Sequence, residues 1–231
     1  MGKIVCLMGR SSSGKDTIYK RLLEQKQVIL QAIVPYTTRP IRAGEREGVE
    51  YHFTDEAGFQ ELRSQGSVIE DRVYHTRLGI WRYFTVADEK VDLAQHSYVM
   101  IGTLEAYTQM QKFYGAGKVL PVMIELDDGE RLQRALDRER SQDHPKYEEM
   151  CRRFLADAED FSENNLKNAG IDRTFYNDEV DRCLEEIVDY LQEKMTGPVK
   201  EVVDRGYQSK SGTAGDAGGA DPAGTGDGWN L

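Results

Sequence analysis

The stretch GRSSSGKDT, residues 9–17, constrains the fold of this chain more than any other, because it separates two different structural patterns. The apolar run KIVCLM before it has the length of a buried strand, and the segment after it places Ile18 and Leu22 on one face of a helix. Its glycines and lysine have the G-x-x-x-x-G-K spacing of a loop whose backbone N–H groups bind phosphate at a helix N-terminus. Strand, loop and helix therefore come in the order that phosphate binding requires.

The residue after Lys15 departs from this pattern. The usual Ser or Thr, whose hydroxyl binds magnesium, is replaced by Asp16. Two interpretations are open: the carboxylate coordinates Mg²⁺ as a hard oxygen donor, or an aspartate simply suits the first turn of a helix, where the macrodipole favours negative charge. A carboxylate beside phosphates repels them unless a cation lies between, so the first interpretation predicts magnesium-dependent binding of ATP.

Beyond this loop, apolar runs of strand length alternate with helical patterns, which is typical of a mainly parallel sheet with crossover helices. We predict an α/β fold of the P-loop NTPase type, with helices flanking the sheet. Predicted strands span 28–34, 67–73, 97–101, 119–126 and 171–177. Predicted helices lie near 55–65, 103–114, 129–140, 147–167 and 178–194.

The domain prediction is one ordered unit over residues 1–194, with a core formed by 1–34 and 95–194. Residues from about 35 to 90 contain charged loops and short aromatic segments, and we interpret them as a small mixed subdomain that binds the acceptor. A helical lid is predicted at about 138–150. After residue 194 the sequence is rich in Gly, Ala, Asp and Ser, so residues 195–231 are predicted to be a disordered tail.

Charge and cysteine usage exclude several classes of partner. The net charge of −10 repels polyanions, which argues against nucleic acid or an anionic membrane as a partner. The three cysteines are far apart, and neither they nor the four histidines have the spacing of a zinc site. The apolar run near the start is too short for a membrane span or signal peptide. These features predict a cytoplasmic protein.

A second candidate anion site lies in YTTRPIRAGEREGVEYHF, residues 36–53. Arg39 and Arg42 are three positions apart, so both can contact one phosphate, and Tyr51 can donate a further hydrogen bond. A solvated basic loop is the alternative interpretation, and this segment alone does not decide between the two.

Together with the 9–17 loop, this segment resembles the guanylate kinase family, which pairs a GPSGxGKS/T-type loop with a TTRxxRxGExxGxxY segment. The matching residues are Thr37, Thr38, Arg39, Arg42, Gly44, Glu45, Gly48 and Tyr51. The resemblance spans roughly residues 3–192. It implies that Arg39, Arg42 and Tyr51 bind the phosphate of GMP.

Segments further along the chain are similar to the family as well. RRFLADAE, residues 152–159, resembles the helix after the family's lid, which implies that Arg152 meets the transferring phosphate. The preceding charged helix resembles the lid, with Arg138 and Arg140 as candidates for binding ATP, although a solvated, salt-bridged face is the alternative for most of its charges. FYNDEVD resembles the segment in which an asparagine, here Asn177, lies near the adenine.

The match is weaker on the side of the acceptor base. VIED places Glu70 where the family has the glutamate that accepts both donors of guanine. RLGIW has Leu78, Gly79 and Ile80 where the family usually has a tyrosine, a glycine and a Ser or Thr, and the family's D-x-D is missing from MIGTLEA. The serine that contacts guanine O6 in the family aligns with Pro35, which has no side-chain donor, and Tyr36 and Thr37 are the alternative donors.

The resemblance implies transfer of the γ-phosphate of ATP to GMP or dGMP, with Mg²⁺ as the cofactor. The catalytic candidates are Lys15, Arg39, Arg140 and Arg152. The candidates for binding ATP are Gly9, Arg10, Ser11, Ser12, Ser13, Gly14, Lys15, Asp16, Thr17, Arg138 and Asn177, with Asp16 also the metal candidate. The candidates for binding the acceptor are Arg39, Arg42, Glu45, Tyr51, Glu70 and Gly79.

Two alternatives remain open at this point. Kinases of ribose 1,5-bisphosphate also have an aspartate after the loop lysine and a TRP segment, so the acceptor could be another small phosphorylated molecule. Domains with this fold also serve as non-catalytic interaction modules. Those modules typically lose the phosphate-binding loop, whereas this chain keeps Gly9, Gly14 and Lys15.

Overall fold

Two sheets organise the chain, which we describe from a computed structural model over residues 1–42, 44–76, 79–88 and 91–196. The strands are β1 (Ile4–Gly9), β2 (Leu30–Ala32), β3 (Tyr36–Thr37), β4 (His52–Phe53), β5 (Val68–Thr76), β6 (Gly79–Val86), β7 (Ser97–Ile101), β8 (Val119–Glu125) and β9 (Thr174–Tyr176). The helices are α1 (Lys15–Leu23), α2 (Glu56–Ser64), α3 (Leu104–Tyr114), α4 (Asp128–Arg140), α5 (Tyr147–Asp160), α6 (Glu163–Asn168) and α7 (Val180–Thr196).

The larger sheet is parallel, with the strand order β2-β7-β1-β8-β9. Every residue of β1 is buried because helices cover both faces of the sheet. Val5 and Leu7 pack with residues of α1 and α7 on one face. Cys6 and Met8 point to the other face and pack with residues of α3. This arrangement confirms the predicted α/β fold with a parallel sheet between helices.

The smaller sheet is mixed, with the order β4-β3-β6-β5. On one face Phe84 and Val86 pack against Phe59 of α2. The opposite face carries two cross-strand pairs, Glu70 with Thr85 and Arg72 with Tyr83. We call these four residues the polar face of the small sheet.

The ladder between β5 and β6 is irregular at one point. Val68 pairs with Val86 but Glu70 pairs with Thr85, so one additional residue of β5, Ile69, is accommodated there as a bulge. Because side chains alternate along a strand, this bulge lets Val68 pack under α2 while Glu70 points to the polar face.

Several predicted elements differ in extent from the observed ones. The predicted strand at 28–34 forms over three residues only, and the one at 67–73 continues to Thr76. The helix predicted over 147–167 is two helices, α5 and α6. They are separated because Ser162 has an extended backbone and Phe161 is buried in the core between the larger sheet and α3.

Some sequence predictions fall outside the described part of the chain. Leu78 is one of them, as is the predicted tail apart from its first two residues, which are the end of α7. The described residues belong to a unit that spans Met1–Gly197. None of the helices described is both long and apolar enough to cross a bilayer.

Candidate active site

The 9–17 loop runs from the end of β1 to the start of α1, and two of its glycines are required by close contacts. Gly14 has a φ of +87°, and a Cβ there would lie 2.3 Å from Nδ2 of Asn177. A Cβ on Gly9 would lie 2.8 Å from both the carbonyl oxygen of Ile124 and Oγ of Ser13. Larger residues would therefore collide with the side chains and backbone that hold the loop in place.

Hydrogen bonds from distant parts of the chain fix the backbone of this loop. Asn177, directly after β9, donates through Nδ2 to the carbonyl oxygen of Ser13 at 2.7 Å. The N–H of Ser11 donates to the carboxylate of Asp157 on α5 at 2.6 Å. The carbonyl oxygen of Ser11 accepts from Arg131 on α4 at 3.1 Å. Three residues that lie more than a hundred positions later in the chain thus hold the loop in its shape.

Arg131 is a buried cation at the centre of these contacts. Its guanidinium donates to Asp128 at 2.7 Å and lies 3.8 Å from the carboxylate of Asp157. It also lies over the ring of Phe154, 4.7 Å from the ring centroid. Only 1% of the Arg131 side chain is exposed, so these carboxylates are needed to offset its desolvation.

The inner side of the loop is polar and has unused hydrogen-bonding capacity. Ser12 has a φ of +63°. The hydroxyls of Ser12 and Ser13 are buried without a partner in the described part of the chain, as are Nε of Arg10 and Oδ1 of Asn177. Nη2 of Arg10 donates to the carbonyl oxygen of Phe161 at 2.8 Å. Hydroxyl and backbone donors around a glycine turn suit an oxyanion such as a phosphate.

Helix α1 begins with Lys15, Asp16 and Thr17, just after these serines. Nζ of Lys15 is 3.9 Å from the carboxylate of Asp16. The lysine side chain is mostly buried, while that of Asp16 is 75% exposed and Thr17 is exposed. A fixed positive charge and an accessible carboxylate therefore lie side by side at the N-terminus of the helix.

Arg39 forms the centre of the second candidate anion site and is almost completely buried. Its guanidinium makes two 2.9 Å hydrogen bonds to Glu45, and Nε donates to the hydroxyl of Tyr83 at 3.1 Å. It lies 5.4 Å from the ring centroid of Tyr51. The hydrogen bonds from Arg39 hold the pKa of the Glu45 carboxyl below its ordinary value, which keeps the pair ionised.

Arg42 and Tyr51 complete this region. The backbone N–H of Arg42 donates to Glu45 at 2.8 Å, and its side chain is exposed. The ring of Tyr51 meets that of Tyr83 edge-on, with 5.5 Å between the centroids. Burial raises the pKa of the Tyr51 phenol, so the hydroxyl stays protonated and can donate. The structure thus brings together Arg39, Glu45 and Tyr51, and the binding of a phosphate by Arg39, Arg42 and Tyr51 stays a prediction.

Glu70 lies on the polar face of the small sheet and is buried. Its Oε1 accepts from the hydroxyl of Thr85 at 2.7 Å, and its Oε2 is 3.4 Å from Nε of Arg72. Burial raises the pKa of the Glu70 carboxyl, and the charge of Arg72 opposes this shift. Gly79 begins β6 with a φ of +119°.

The two predicted lid arginines on α4 and the predicted transfer residue Arg152 on α5 are all exposed. Arg152 makes two hydrogen bonds, of 2.7 and 2.8 Å, to Glu149 one turn away, and Arg140 lies 3.7 Å from Asp137. Arg138 is also exposed. In this structure Arg140 and Arg152 form ion pairs within their own helices, and their roles toward a phosphate stay predictions.

Sequence reasoning missed five residues of this region: Arg72, Tyr83, Arg131, Arg134 and Asp157. Two signals could have found some of them. Strand alternation from Glu70 reaches Arg72, and helical spacing places Arg134 on the same face as Arg131. Nη1 of Arg134 lies 3.7 Å from the position that a Cβ on Gly14 would occupy, beside the 9–17 loop.

Comparison with known proteins agrees with this geometry. The family model for guanylate kinase matches residues 1–194. The guanylate kinase of Wolbachia pipientis wMel is 30% identical over 206 residues, which are 87% of this chain and 94% of that protein. That of Alkalilimnicola ehrlichii is 31% identical over 187 residues, which are 80% of this chain and 86% of that protein.

A solved structure shows the same fold. The crystal structure of guanylate kinase from Anaplasma phagocytophilum superimposes with a TM-score of 0.59 at 20% identity, covering 83% of this chain and 85% of that one. The family match extends over the larger sheet, the small sheet and the helices that carry the arginines. The chain therefore belongs to the guanylate kinase family and is an ATP-dependent nucleoside monophosphate kinase.

Proposed function

We propose that this protein transfers the γ-phosphate of ATP to GMP or dGMP, with Mg²⁺ as the cofactor. One observation carries the choice of acceptor: Oε2 of Glu70 is buried and has no hydrogen-bond partner among the described residues. Guanine presents two adjacent donors, N1–H and the 2-amino group, which one carboxylate accepts together. A buried carboxylate whose Oε2 has only an ion-pair contact, 3.4 Å to Nε of Arg72, is suited to this edge of the base.

The 9–17 loop is the proposed donor site. Its backbone N–H groups and Lys15 bind the β- and γ-phosphates of ATP, and Arg134 is near enough to contribute a further charge. Asn177, Asp157 and Arg131 hold the backbone in this shape before ATP binds, so little ordering is needed on binding.

Magnesium fits beside this loop. Asp16 has an exposed carboxylate directly after Lys15, and a carboxylate oxygen is a ligand that Mg²⁺ prefers. The described residues contain no cluster of three or more His, Cys, Asp or Glu able to hold a metal, which suits an ion that takes its other ligands from phosphates and water. The ion supplies charge neutralisation on the donor phosphates.

Arg39, Arg42 and Tyr51 are the proposed binding residues for the phosphate of the acceptor. The hydroxyl of Tyr83 contacts Arg39 directly and is the proposed substitute for the phosphate donor lost at Leu78. Tyr83 and Glu70 are in the small sheet, and Arg39, Arg42 and Tyr51 are in the segment between its strands β3 and β4, so these residues are proposed to bind the two ends of one nucleotide.

Transfer between the two sites requires alignment and charge stabilisation more than covalent help from the protein. Arg152 and Arg140 are proposed to exchange their ion pairs with Glu149 and Asp137 for the transferring phosphate. Both arginines are exposed and their pairs are local, so these exchanges cost little. Closure of the segment around residues 138–150 over the donor phosphates would also exclude water.

The cytoplasm is the proposed place of action. It supplies ATP and nucleoside monophosphates, and the cysteines Cys6, Cys151 and Cys183 are free thiols, as is usual in a reducing compartment.

The decisive test is release of ADP from magnesium-ATP with GMP, dGMP, AMP, CMP, UMP and ribose 1,5-bisphosphate as acceptors. We expect GMP and dGMP to be used with the highest kcat/KM. A higher value for ribose 1,5-bisphosphate would overturn the choice of acceptor but not phosphoryl transfer. An interaction module without activity would release no ADP and would not be stabilised by magnesium-ATP in a melting experiment.

A further inference from the structure

The cleft beside the polar face of the small sheet contains an arginine that the proposed function has not yet used. The cleft has a volume of about 670 Å³, and β5, the start of α3 and the segment around α6 line it. Arg72 is among the lining residues, together with Tyr74, Thr103, Glu105, Asp160 and Asn165. A cation therefore stands in the cleft next to Glu70.

Three observations define the position of Arg72. It follows Glu70 by two positions on β5, so both side chains point to the polar face. Its Nε forms a 3.4 Å ion pair with Oε2 of Glu70, and neither atom has a hydrogen-bond partner among the described residues. The side chain of Arg72 is 23% exposed, and that of Glu70 is 3% exposed. The guanidinium is thus held beside the carboxylate and borders the open cleft.

This pair matches the hydrogen-bonding edge of guanine. Along that edge the 2-amino group and N1–H are donors, and O6 is the next atom and an acceptor. A carboxylate with an adjacent guanidinium presents the complementary order of two acceptors followed by donors. Arginine is the residue most often found on guanine O6 and N7 in nucleic-acid complexes, because its planar fork fits both atoms.

The position that supplies a donor for O6 in the family does not supply one in this chain, and the hydroxyl of Thr37 already donates to the carbonyl oxygen of Arg82. Pro35 lies directly before β3, where the resemblance to the family places a serine, and it has no side-chain donor. Among the residues that the structure describes, Arg72 is the cation nearest to Glu70 on the polar face.

We propose that Arg72 is a specificity-determining residue whose guanidinium donates to guanine O6 while Glu70 accepts from N1–H and the 2-amino group. This inference rests on the proposed function and adds the residue that reads O6. AMP is rejected because its N6 amino group would point a donor at Arg72 and its unprotonated N1 would face the Glu70 carboxylate. The charge of Arg72 opposes the effect of burial, which raises the pKa of the Glu70 carboxyl.

The test compares acceptors that differ at one position of the base. GMP presents O6, 6-thio-GMP replaces it by sulfur, which is a weak acceptor, and IMP retains O6 but lacks the 2-amino group. We expect Arg72→Met to lower kcat/KM for GMP by roughly 10- to 100-fold. The same variant should lower kcat/KM for 6-thio-GMP much less, so the preference for GMP over 6-thio-GMP falls toward one. The preference for GMP over IMP, which depends on Glu70, should persist.

A second variant keeps the test valid if loss of the cation beside Glu70 prevents folding. Arg72→Lys retains the charge but lacks the fork, so its ammonium cannot contact Glu70 and O6 with the same geometry. We expect it to fold and to lose part of the preference for GMP over 6-thio-GMP. Arg82→Met is the matched control, since Arg82 is in the same sheet and pairs with Asp71 and Glu56 on the face that packs against α2. It should leave this preference unchanged.

Two results would overturn the proposals, and they differ. If the wild type prefers GMP but Arg72→Met and Arg72→Lys keep the wild-type ratio of GMP to 6-thio-GMP, Arg72 is only a counter-ion for Glu70. If the wild type does not prefer GMP to AMP, the proposed function is wrong, and the proposed hydrogen bond from Arg72 to O6 is wrong as well.

Discussion

The amide of Asn177 donates a 2.7 Å hydrogen bond to the carbonyl oxygen of Ser13, which lies 164 positions earlier in the chain. The same Nδ2 would be 2.3 Å from a Cβ on Gly14. One buried side chain thus fixes the shape of the loop and requires a glycine beside it. The predicted contact of Asn177 with adenine stays a prediction, and the structure adds this second role for the residue.

Gly14→Ala is expected to abolish measurable binding of magnesium-ATP. The substitution combines a left-handed backbone, which costs a residue with a Cβ about 1 kcal/mol, with a collision against Asn177. Gly66→Ala is the matched control, because Gly66 has a φ of +70° and open space around its Cβ position. Calorimetric titration with ATP distinguishes them: equal affinities in the two variants would show that the collision does not matter.

Asp157→Ala is expected to raise KM for ATP roughly tenfold or more, because a hydrogen bond from the loop to a charged acceptor is worth about 1.5–3 kcal/mol. It also removes one of the two carboxylates near buried Arg131, so the melting temperature should fall. Glu159→Gln, on an exposed part of the same helix, is the control. Steady-state kinetics in varied ATP measures the effect, and an unchanged KM would contradict a role in holding Ser11.

Arg152→Ala is expected to lower kcat by about 10³-fold or more while raising KM much less, since the proposed contact forms in the transition state. Arg182→Ala provides a comparison, because Arg182 is likewise exposed on a helix and paired with an acidic neighbour. Its kcat should equal that of the wild type. A wild-type kcat for Arg152→Ala would remove this residue from the transfer step.

Asp16→Ala is expected to weaken binding of ATP in the presence of Mg²⁺ and to strengthen it in EDTA. The carboxylate contributes a ligand when the ion is present and repels the phosphates when it is absent. Titrations of both proteins with and without the ion measure this reversal. Equal binding of ATP by the wild type in Mg²⁺ and in EDTA would assign Asp16 to the helix dipole alone.

The activity with GMP should depend on the ionisation of Glu70. Burial raises the pKa of this carboxyl. As the pH is lowered, kcat/KM for GMP should therefore begin to fall at a higher pH than it would with a glutamate of ordinary pKa. Glu70→Gln should lose this limb of the pH profile and keep only that of the GMP phosphate, whose second pKa is about 6. A wild-type profile identical in shape to that of Glu70→Gln would show that the carboxylate does not read the base.

The same shift predicts a pH dependence of stability. A carboxyl with a raised pKa binds its proton more tightly in the folded state, so its ionisation destabilises the fold above the unfolded pKa of about 4.3. The free energy of unfolding of the wild type should therefore fall relative to that of Glu70→Gln as pH rises from 4.5 to 7.5. Urea denaturation at the two pH values measures this difference.

The sequence predicts best where one physical rule decides. The order of strand, loop and helix around Lys15 is correct because glycine spacing and hydrophobic periodicity are local signals. The TTRxxRxGE segment predicts that Arg39 and Arg42 contact one phosphate, and it does not predict the ion pair between Arg39 and Glu45.

Contacts between distant segments were not predictable in the same way. Arg131 is indistinguishable in sequence from the exposed arginines that follow it on α4, and only its packing against Asp157 and Phe154 explains its burial. The separation of α5 from α6 depends on the burial of Phe161, which no helical period indicates. Tyr83 could be assigned to the acceptor site only once the pairing of β3 with β6 was known, because that pairing places it beside Arg39.

The bulge at Ile69 makes the length of β5 as important as its composition. Val68 and Glu70 are an even number of positions apart, yet they face opposite sides of the sheet because of this one residue. Removing it would either turn Val68 out of the core under α2 or turn Glu70 away from the polar face of the small sheet. Substitutions along this strand can alter the proposed recognition of the base or the stability of the fold separately. A one-residue deletion or insertion before Glu70 would instead move either Val68 or Glu70 to the wrong face of the sheet.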